Sequence, residues 1–122
     1  MQILDGIKLA REIKQEIKDA VSEAVGKGQR APHLAAVLVG NDGASQTYVS
    51  NKIKDCEQVG FKSSLVKLPN TVSQTELLEV IEKLNHQEDL DGFIVQLPLP
   101  SQIDQEEVIE AIDPKKDVDG FH

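Results

Sequence analysis

The sequence predicts an α/β fold in which helices cover both faces of a mainly parallel sheet, a three-layer α/β/α arrangement. Three short segments, at residues 33–39, 61–68 and 91–96, have the length and composition of strands, and the first and third are mainly apolar. Segments with apolar residues every three or four positions precede, separate and follow them. This alternation is typical of parallel sheets, and a chain of 122 residues has the size of one such domain.

The first predicted helix runs from Asp5 to about Gly26 and is amphipathic. Asp5 is the expected N-cap, and Gly26 and Gly28 are typical of a helix end. The apolar face consists of Ile7, Ala10, Ile13, Ile17, Ala20, Val21 and Ala24. The next strand is apolar at every position from after His33 to Val39, which predicts that both of its faces are covered.

The second predicted helix covers residues 44–59 and ends at Gly60. Its apolar face consists of Val49, Ile53, Cys56 and Val59. Because the chain has one cysteine and no base beside it, we expect Cys56 to be a core residue rather than a redox centre. The strand at residues 61–68 follows and ends at Pro69.

A capping box marks the start of the third helix. Ser73, followed by Glu76, predicts a helix that begins there and ends near His86. The strand at residues 91–96 follows, and prolines end it.

A second capping box, Asp104 with Glu107, predicts a short fourth helix that ends before Pro114. Residues 115–122 have no periodicity. We also expect disorder of residues 113–122, or self-association of the chain.

Composition excludes several classes of protein. The chain has 21 acidic and 13 basic residues and a formal net charge of −8, so we expect no nucleic-acid partner, because this surface repels phosphate. The longest apolar run, residues 34–39, is far short of the ~20 residues that cross a bilayer, so we expect no membrane partner. The N-terminus lacks the order of a secretory signal, and we expect a cytoplasmic protein.

Common catalytic and metal-binding patterns are missing from the sequence. It contains no G-x-G-x-x-G or Walker loop, and Ser45 has no histidine and acid in triad order. His33, His86 and His122 do not have the spacing of zinc ligands, so we expect no bound metal.

Polar residues follow the first and third predicted strands, at the edge of the sheet where α/β proteins bind ligands. Ser45, Tyr48 and Lys52 are spaced by three and four, which places them on one face of the second helix. This face is rotated by roughly 100° from the apolar face, so we expect it to border the core. Gln96 follows the third strand. If that strand lies beside the first, Lys52 and Gln96 converge on one crevice.

These groups together offer acid–base chemistry. A lysine between apolar walls loses hydration of its charged form, which favours a neutral amine that exchanges protons with a substrate or water. A carboxamide orients the amine without adding charge, and Tyr48 offers a ring that can stack on a flat ligand. A second interpretation stays open, in which Lys52 extends into solvent and Tyr48 is packed in the fold.

Separated segments of the chain carry a further pattern. They are Ile3–Gly6, Val39–Gly40 with Ser45, Tyr48–Cys56 with Gly60, Asp91–Pro100 and Lys116–His122. In this order, and over nearly the whole chain, they resemble the catalytic domain of the bifunctional methylenetetrahydrofolate dehydrogenase/methenyltetrahydrofolate cyclohydrolase family.

The resemblance implies an activity. Members of this family oxidise 5,10-methylenetetrahydrofolate with NADP and hydrolyse the 5,10-methenyl product to 10-formyltetrahydrofolate. These reactions belong to one-carbon metabolism and purine biosynthesis. The implied small-molecule partner is a folate, and the implied cofactor of the full-length family is NADP.

The resemblance also implies roles for individual residues. Lys52 matches the central catalytic lysine, Gln96 the residue that hydrogen-bonds it, and Tyr48 the ring that stacks on the folate. Ser45 matches a supporting serine near the lysine, and Asp119 the aspartate that binds the pterin. The other residues that match the lining of the substrate pocket are Val95, Leu97 and Pro98.

The chain differs from the family in extent. In the family, the segment that residues 113–122 match leads into a second, Rossmann-like domain that holds NADP. We therefore expect residues 1–122 to be the folate-binding catalytic domain, without cofactor-binding residues, bound NADP or dehydrogenase activity. The full-length family is homodimeric, whereas we expect this chain to be a monomer. The alternative is a folate-binding or inactive fragment without turnover.

Overall fold

A computed structural model of the chain describes residues 2–118, with side chains described from residue 11 onward. Its elements alternate as the sequence predicts, which confirms the α/β class. They are α1 (Gln2–Gly26), β1 (His33–Val39), α2 (Gly43–Gln58), β2 (Lys62–Leu68), α3 (Gln74–His86), β3 (Gly92–Val95), α4 (Gln105–Ala111) and a 3-10 turn at Pro114–Lys116.

The strands of the described range form one parallel sheet in the order β2-β1-β3. Val37, at the centre of β1, lies opposite Val66 of β2 and Val95 of β3. The continuous apolar run forms the central strand, and β3 lies directly beside β1.

Helices cover both faces of this sheet. Successive side chains of a strand point to opposite faces, so the residues of β1 divide between two cores. Val37 and its odd-numbered neighbours pack against α3 and α4 through residues such as Leu77 and Val108. Leu38 and its even-numbered neighbour pack against α2 through Val49. The predicted three-layer arrangement is therefore confirmed.

The first helix starts earlier than predicted. α1 begins at Gln2, so Asp5 lies inside its first turn and is not the N-cap. An acidic residue is favourable at either place because the helix dipole is positive there, so the sequence does not separate the two positions. Further along, Val21 is buried whereas Ile13 and Ile17 are exposed. Although α1 has 25 residues, no helix within residues 2–118 is apolar enough over sufficient length to cross a membrane.

Both predicted capping boxes are present. The Ser73 hydroxyl accepts the Glu76 backbone N–H at 3.1 Å, and the Asp104 carboxylate accepts the Glu107 N–H at 3.2 Å. These bonds fix where α3 and α4 begin, and both helices pack on the face of the sheet opposite α2.

The segment after α4 is anchored, which corrects the expectation of disorder from residue 113. The Asp113 N–H donates to the Asn85 side chain at 2.9 Å, and Asp117 forms a parallel bridge with Phe93 of β3. Polar contacts hold this segment, and apolar periodicity therefore gave no sign of them. Residues 119–122, the rest of the predicted link, lie outside the described range.

Candidate functional site

Lys52 and Gln96 meet at the carboxyl edge of the sheet. Lys52 lies on α2, and Gln96 directly follows β3. The Gln96 backbone N–H donates to the Val37 carbonyl at 2.9 Å, which holds this residue at the strand end. Lys52 Nζ donates to Gln96 Oε1 at 3.4 Å. The structure thus brings together the amine and the carboxamide that the sequence placed after two different strands.

The side-chain amide of Gln96 has a defined orientation. Its Nε2 donates to the Leu97 carbonyl at 3.1 Å, so its oxygen faces Lys52. A carboxamide in this orientation offers Lys52 an uncharged hydrogen-bond acceptor. The following peptide bond, Leu97–Pro98, is cis.

A tight turn positions the helix that carries Ser45, Tyr48 and Lys52. Gly40 has a φ of 85°, a left-handed conformation that a residue with a side chain adopts at a cost, and it turns the chain out of β1. Asp42 then caps α2, with its carboxylate accepting the Ser45 N–H at 2.9 Å. Ser45 itself is buried, at 4% exposure, so it supports the start of the helix.

The helix face that carries Ser45, Tyr48 and Lys52 was predicted to border the core, and it does so at Ser45 but not at the other two residues. Ser45 is buried, whereas Tyr48 is 60% exposed and Lys52 is exposed. A rotation of roughly 100° from the apolar face is enough to turn the last two side chains outward. Apolar side chains such as Ile53 and Ile94 line a groove together with Lys52 but leave the lysine exposed. The open ring of Tyr48 is accessible to a flat ligand.

The other predicted pocket residues are placed differently from one another. The Val95 side chain is 2% exposed and packs in the core on the side of α3 and α4, away from Lys52. A contact of Val95 with a ligand at the strand end would therefore come from its backbone, because in β3 the Ile94 side chain points toward α2. The place of Val95 in the substrate pocket stays a prediction. Leu97 is half-buried and Pro98 exposed, just after Gln96. Asp119 lies outside the described residues.

An apolar groove of about 250 Å³ adjoins Lys52 on the α2 side of the sheet. Its lining includes Leu34, Ala36, Ile53, Cys56, Ile94 and Val118. Sequence reasoning missed it because these residues read as ordinary core positions. Cys56, predicted to be in the core, is half-buried here, and burial raises the pKa of its thiol. A thiol that is harder to ionise is a poorer nucleophile and therefore less suited to a redox role.

A second set of polar side chains lies at the opposite, amino edge of the sheet. This amino-edge cluster consists of Arg30, His33, Ser64 and Asp91. The Asp91 carboxylate accepts two hydrogen bonds from Arg30, at 2.7 and 2.8 Å, and one from the His33 N–H at 2.8 Å. Arg30, followed by the His33 N–H, holds the pKa of the Asp91 carboxyl below its usual range.

His33 is buried within this cluster, at 4% exposure. Its Nδ1 lies 3.1 Å from the Asp89 carbonyl and its Nε2 lies 2.6 Å from the Ser64 hydroxyl. A carbonyl only accepts, so we assign the proton to Nδ1 and a hydrogen bond from Ser64 to Nε2. The sequence pattern does not predict this cluster. Its one sign is that polar residues directly precede two apolar strands.

No metal site is found in the described part of the chain, where no three His, Cys, Asp or Glu side chains group together. This finding covers His33 and His86, and His122 lies outside the described residues.

Comparison with known proteins identifies relatives of this chain. Residues 4–119 match the family described as tetrahydrofolate dehydrogenase/cyclohydrolase, catalytic domain. The bifunctional protein FolD of Christiangramia forsetii is 59% identical over 106 residues, which cover 87% of this chain and 36% of that protein. The bifunctional protein FolD of Porphyromonas gingivalis is 56% identical over 105 residues, which cover 86% of this chain and 36% of that protein.

Solved structures share the fold. The bifunctional enzyme FolD, a methylenetetrahydrofolate dehydrogenase/cyclohydrolase from Campylobacter jejuni, matches with a TM-score of 0.92 and 45% identity, over 98% of this chain and 42% of that chain. The Trypanosoma brucei enzyme FolD, solved with NADP cofactor and inhibitor, matches with a TM-score of 0.85 and 34% identity, over 90% of this chain and 37% of that chain.

The chain spans about 36% of the length of the FolD relatives that it matches. The family match, in contrast, includes nearly every residue of the chain, with the helix of Lys52 and the strand end of Gln96. The chain therefore belongs to the tetrahydrofolate dehydrogenase/cyclohydrolase family, as its sequence motifs predicted.

Proposed function

We propose that this chain is the folate-binding catalytic domain of an enzyme that oxidises 5,10-methylenetetrahydrofolate with NADP and hydrolyses 5,10-methenyltetrahydrofolate to 10-formyltetrahydrofolate. The observation that carries the proposal is the 3.4 Å contact between Lys52 Nζ and Gln96 Oε1. It joins an amine and a carboxamide from separate elements at the ligand-binding edge of a parallel sheet.

Lys52 acts in the hydrolysis as a proton carrier. Attack of water on the methenyl carbon releases a proton from the water, and cleavage of the carbon–nitrogen bond then needs a proton on the departing nitrogen. One amine can accept the first proton and deliver the second. Gln96 supports this role because its oxygen faces Lys52 and carries no charge.

Tyr48 binds the substrate by stacking, and Ser45 supports the helix beneath it. With 60% exposure, Tyr48 has an open ring face that a flat substrate can cover. Val95 takes part through its backbone at the strand end, because its side chain is buried in the opposite core. The remaining substrate contacts in this proposal are Leu97, Pro98 and Asp119.

NADP serves the whole enzyme in this proposal, but the described part of this chain does not fit it. Dinucleotide sites place the pyrophosphate at a helix N-terminus after a glycine-rich turn. At the start of α2, the Asp42 carboxylate already accepts the Ser45 N–H at 2.9 Å, and its charge repels phosphate. We therefore propose that this chain alone binds no NADP and has no dehydrogenase activity.

The proposal includes a setting for the enzyme. We place it in the cytoplasm, in one-carbon metabolism and purine biosynthesis, without a nucleic-acid or membrane partner. The net charge of −8 supports the absence of a nucleic-acid partner. The whole protein is a homodimer in this proposal, and residues 1–122 alone are a monomeric domain from which residues 113–122 lead onward.

A second candidate function is folate binding without turnover. The exposure of Lys52 and Tyr48 favours it, because an amine in contact with water keeps the hydration of its charged form. In that case the catalytic amine would need further protein around it to act.

The test is the rate at which the absorbance of 5,10-methenyltetrahydrofolate is lost, at a pH where spontaneous hydrolysis is slow. We expect the chain to accelerate this loss and Lys52→Met to reduce the acceleration by about a hundredfold. The matched control is Lys54→Met, an exposed lysine of the same helix, which should keep the wild-type rate.

The outcomes separate the two functions. Folate binding that Tyr48→Ala weakens, without acceleration by any variant, would support the second candidate. A chain that neither accelerates hydrolysis nor binds folate would contradict both.

A further inference from the structure

The segment Pro114–Val118 lies between the end of α3 and β3, and it contacts both. On one side the Asp113 N–H donates to Asn85 Oδ1 at 2.9 Å, while Asn85 Nδ2 donates to the Ala111 carbonyl at 2.8 Å. On the other side Asp117 forms a parallel bridge with Phe93. A parallel bridge directs the chain at Asp117 toward the edge of the sheet where Gln96 lies.

Lys116 makes two further contacts with the end of α3. Its ammonium donates to the Leu84 carbonyl at 2.9 Å and to the Gln87 carbonyl, both at the C-terminal end of α3. A cation is favourable there because the carbonyl end of a helix carries a partial negative charge, and these carbonyls, which also accept backbone N–H groups, each have a second lone pair. The adjacent Lys115 is exposed, whereas Lys116 is half-buried.

Gly92 allows the segment to approach β3 closely. A Cβ at this position would lie 2.6 Å from Val118 Cγ2 and 3.3 Å from the Lys116 carbonyl. A side chain there would therefore force the Val118 side chain to move and press against the Lys116 backbone. Val118 in turn lines the apolar groove together with Lys52 and Ile53, so the position of the segment affects the surroundings of Lys52.

We infer that Lys116 is a positioning residue for substrate binding: by fastening the segment to α3, it holds Asp117 beside β3 and Val118 in the groove that Lys52 also lines. This inference rests on the proposed function, in which Lys52 acts on a bound folate. Gly92 has the complementary role, because it leaves the space that the fastened segment occupies.

Two substitutions test this inference from opposite sides of the segment. Lys116→Met removes the ammonium but keeps an apolar stem, and Gly92→Ala inserts a methyl group against Val118. We expect each to weaken the binding of 5-formyltetrahydrofolate, a stable reduced folate, by about tenfold, measured calorimetrically well below the unfolding temperature. Exchange of the Asp117 amide, which donates to the Pro114 carbonyl at 3.4 Å, should accelerate in both.

Matched variants separate positioning from general stability. Lys115→Met changes the exposed neighbour and should leave both affinity and exchange unchanged. Lys116→Arg keeps N–H donors at the helix end and should retain most of the affinity.

Different results would contradict the inference about Lys116 and the proposed function on which it rests. Faster Asp117 exchange in Lys116→Met with wild-type affinity, or unchanged exchange, would overturn the inference. A wild-type chain that binds no reduced folate would instead contradict the proposed function, and the exchange comparison would then decide whether Lys116 holds the segment.

Discussion

The polar groups at the two ends of the parallel sheet differ in their hydrogen bonding and in their exposure. At the amino edge, the Arg30 guanidinium and the His33 backbone N–H both donate to the Asp91 carboxylate, at 2.7 to 2.8 Å. At the carboxyl edge, Lys52 and Gln96 meet at 3.4 Å, and Tyr48 beside them is 60% exposed. The amino edge therefore has short hydrogen bonds between its polar groups, whereas the carboxyl edge has one long hydrogen bond and an exposed aromatic ring.

This difference indicates what each end does. Short hydrogen bonds that occupy the available donors and acceptors stabilise the fold and leave little for a ligand to bind. At the carboxyl edge, the backbone of Gln96 is fixed by its bond to Val37 and its amide nitrogen by the Leu97 carbonyl, while the exposed Lys52 and Tyr48 side chains stay accessible to a ligand. The amino edge therefore serves stability, and the carboxyl edge serves the ligand.

The largest expected effect comes from replacing a glutamine with leucine at one position after β3 and, as a control, at one position before it. Gln96→Leu removes the acceptor that orients Lys52, and we expect methenyltetrahydrofolate hydrolysis to slow by about a hundredfold. Gln87→Leu makes the same chemical change before the strand, where the side chain bonds Asp89, and should leave the rate unchanged.

Equal rate losses in these two variants would contradict the division of roles between the edges. Each variant should also be unfolded with urea, so that a loss of rate is not confused with a loss of folded protein.

The next effect concerns stability at the amino edge. His33→Leu keeps an apolar side chain of similar size but leaves the Ser64 hydroxyl and the Asp89 carbonyl without their partner. We expect the free energy of unfolding to fall by about 2 kcal/mol. Affinity for a reduced folate should stay at the wild-type value, because the cluster lies at the other end of the sheet. A variant of wild-type stability with weakened folate binding would reverse the assignment of the two edges.

The sequence predicts features that depend on neighbouring residues better than contacts between residues far apart in the chain. The capping box at Ser73 and the apolar run of β1 are local patterns, and both fixed their elements correctly. The pairing of Lys52 with Gln96 depended on strand order, which no local pattern specifies. The bond from His33 to Asp91 joins residues 58 positions apart, so periodicity carried no information about it.

Exposure was the least predictable property of the site. Helical spacing placed Tyr48 and Lys52 on one face, but whether a face is open depends on what packs over it. The roles of these residues, and of Asp119, remain predictions that the sequence suggested through family resemblance.

The smallest effect, and the most specific, is the pH dependence of the ion pair at the amino edge. Arg30 lowers the folded-state pKa of Asp91, so the stabilisation is present above the unfolded-state value of about 4 and is lost as the pH falls through the folded-state pKa. Because the pair is partly exposed, we expect Asp91→Asn to cost about 1 kcal/mol at pH 7. Urea unfolding of both proteins between pH 7 and pH 3 should show this difference shrinking only at the acidic end. A difference that stays constant over this range would mean that the charge of the Asp91 carboxylate contributes nothing to the stability at this edge.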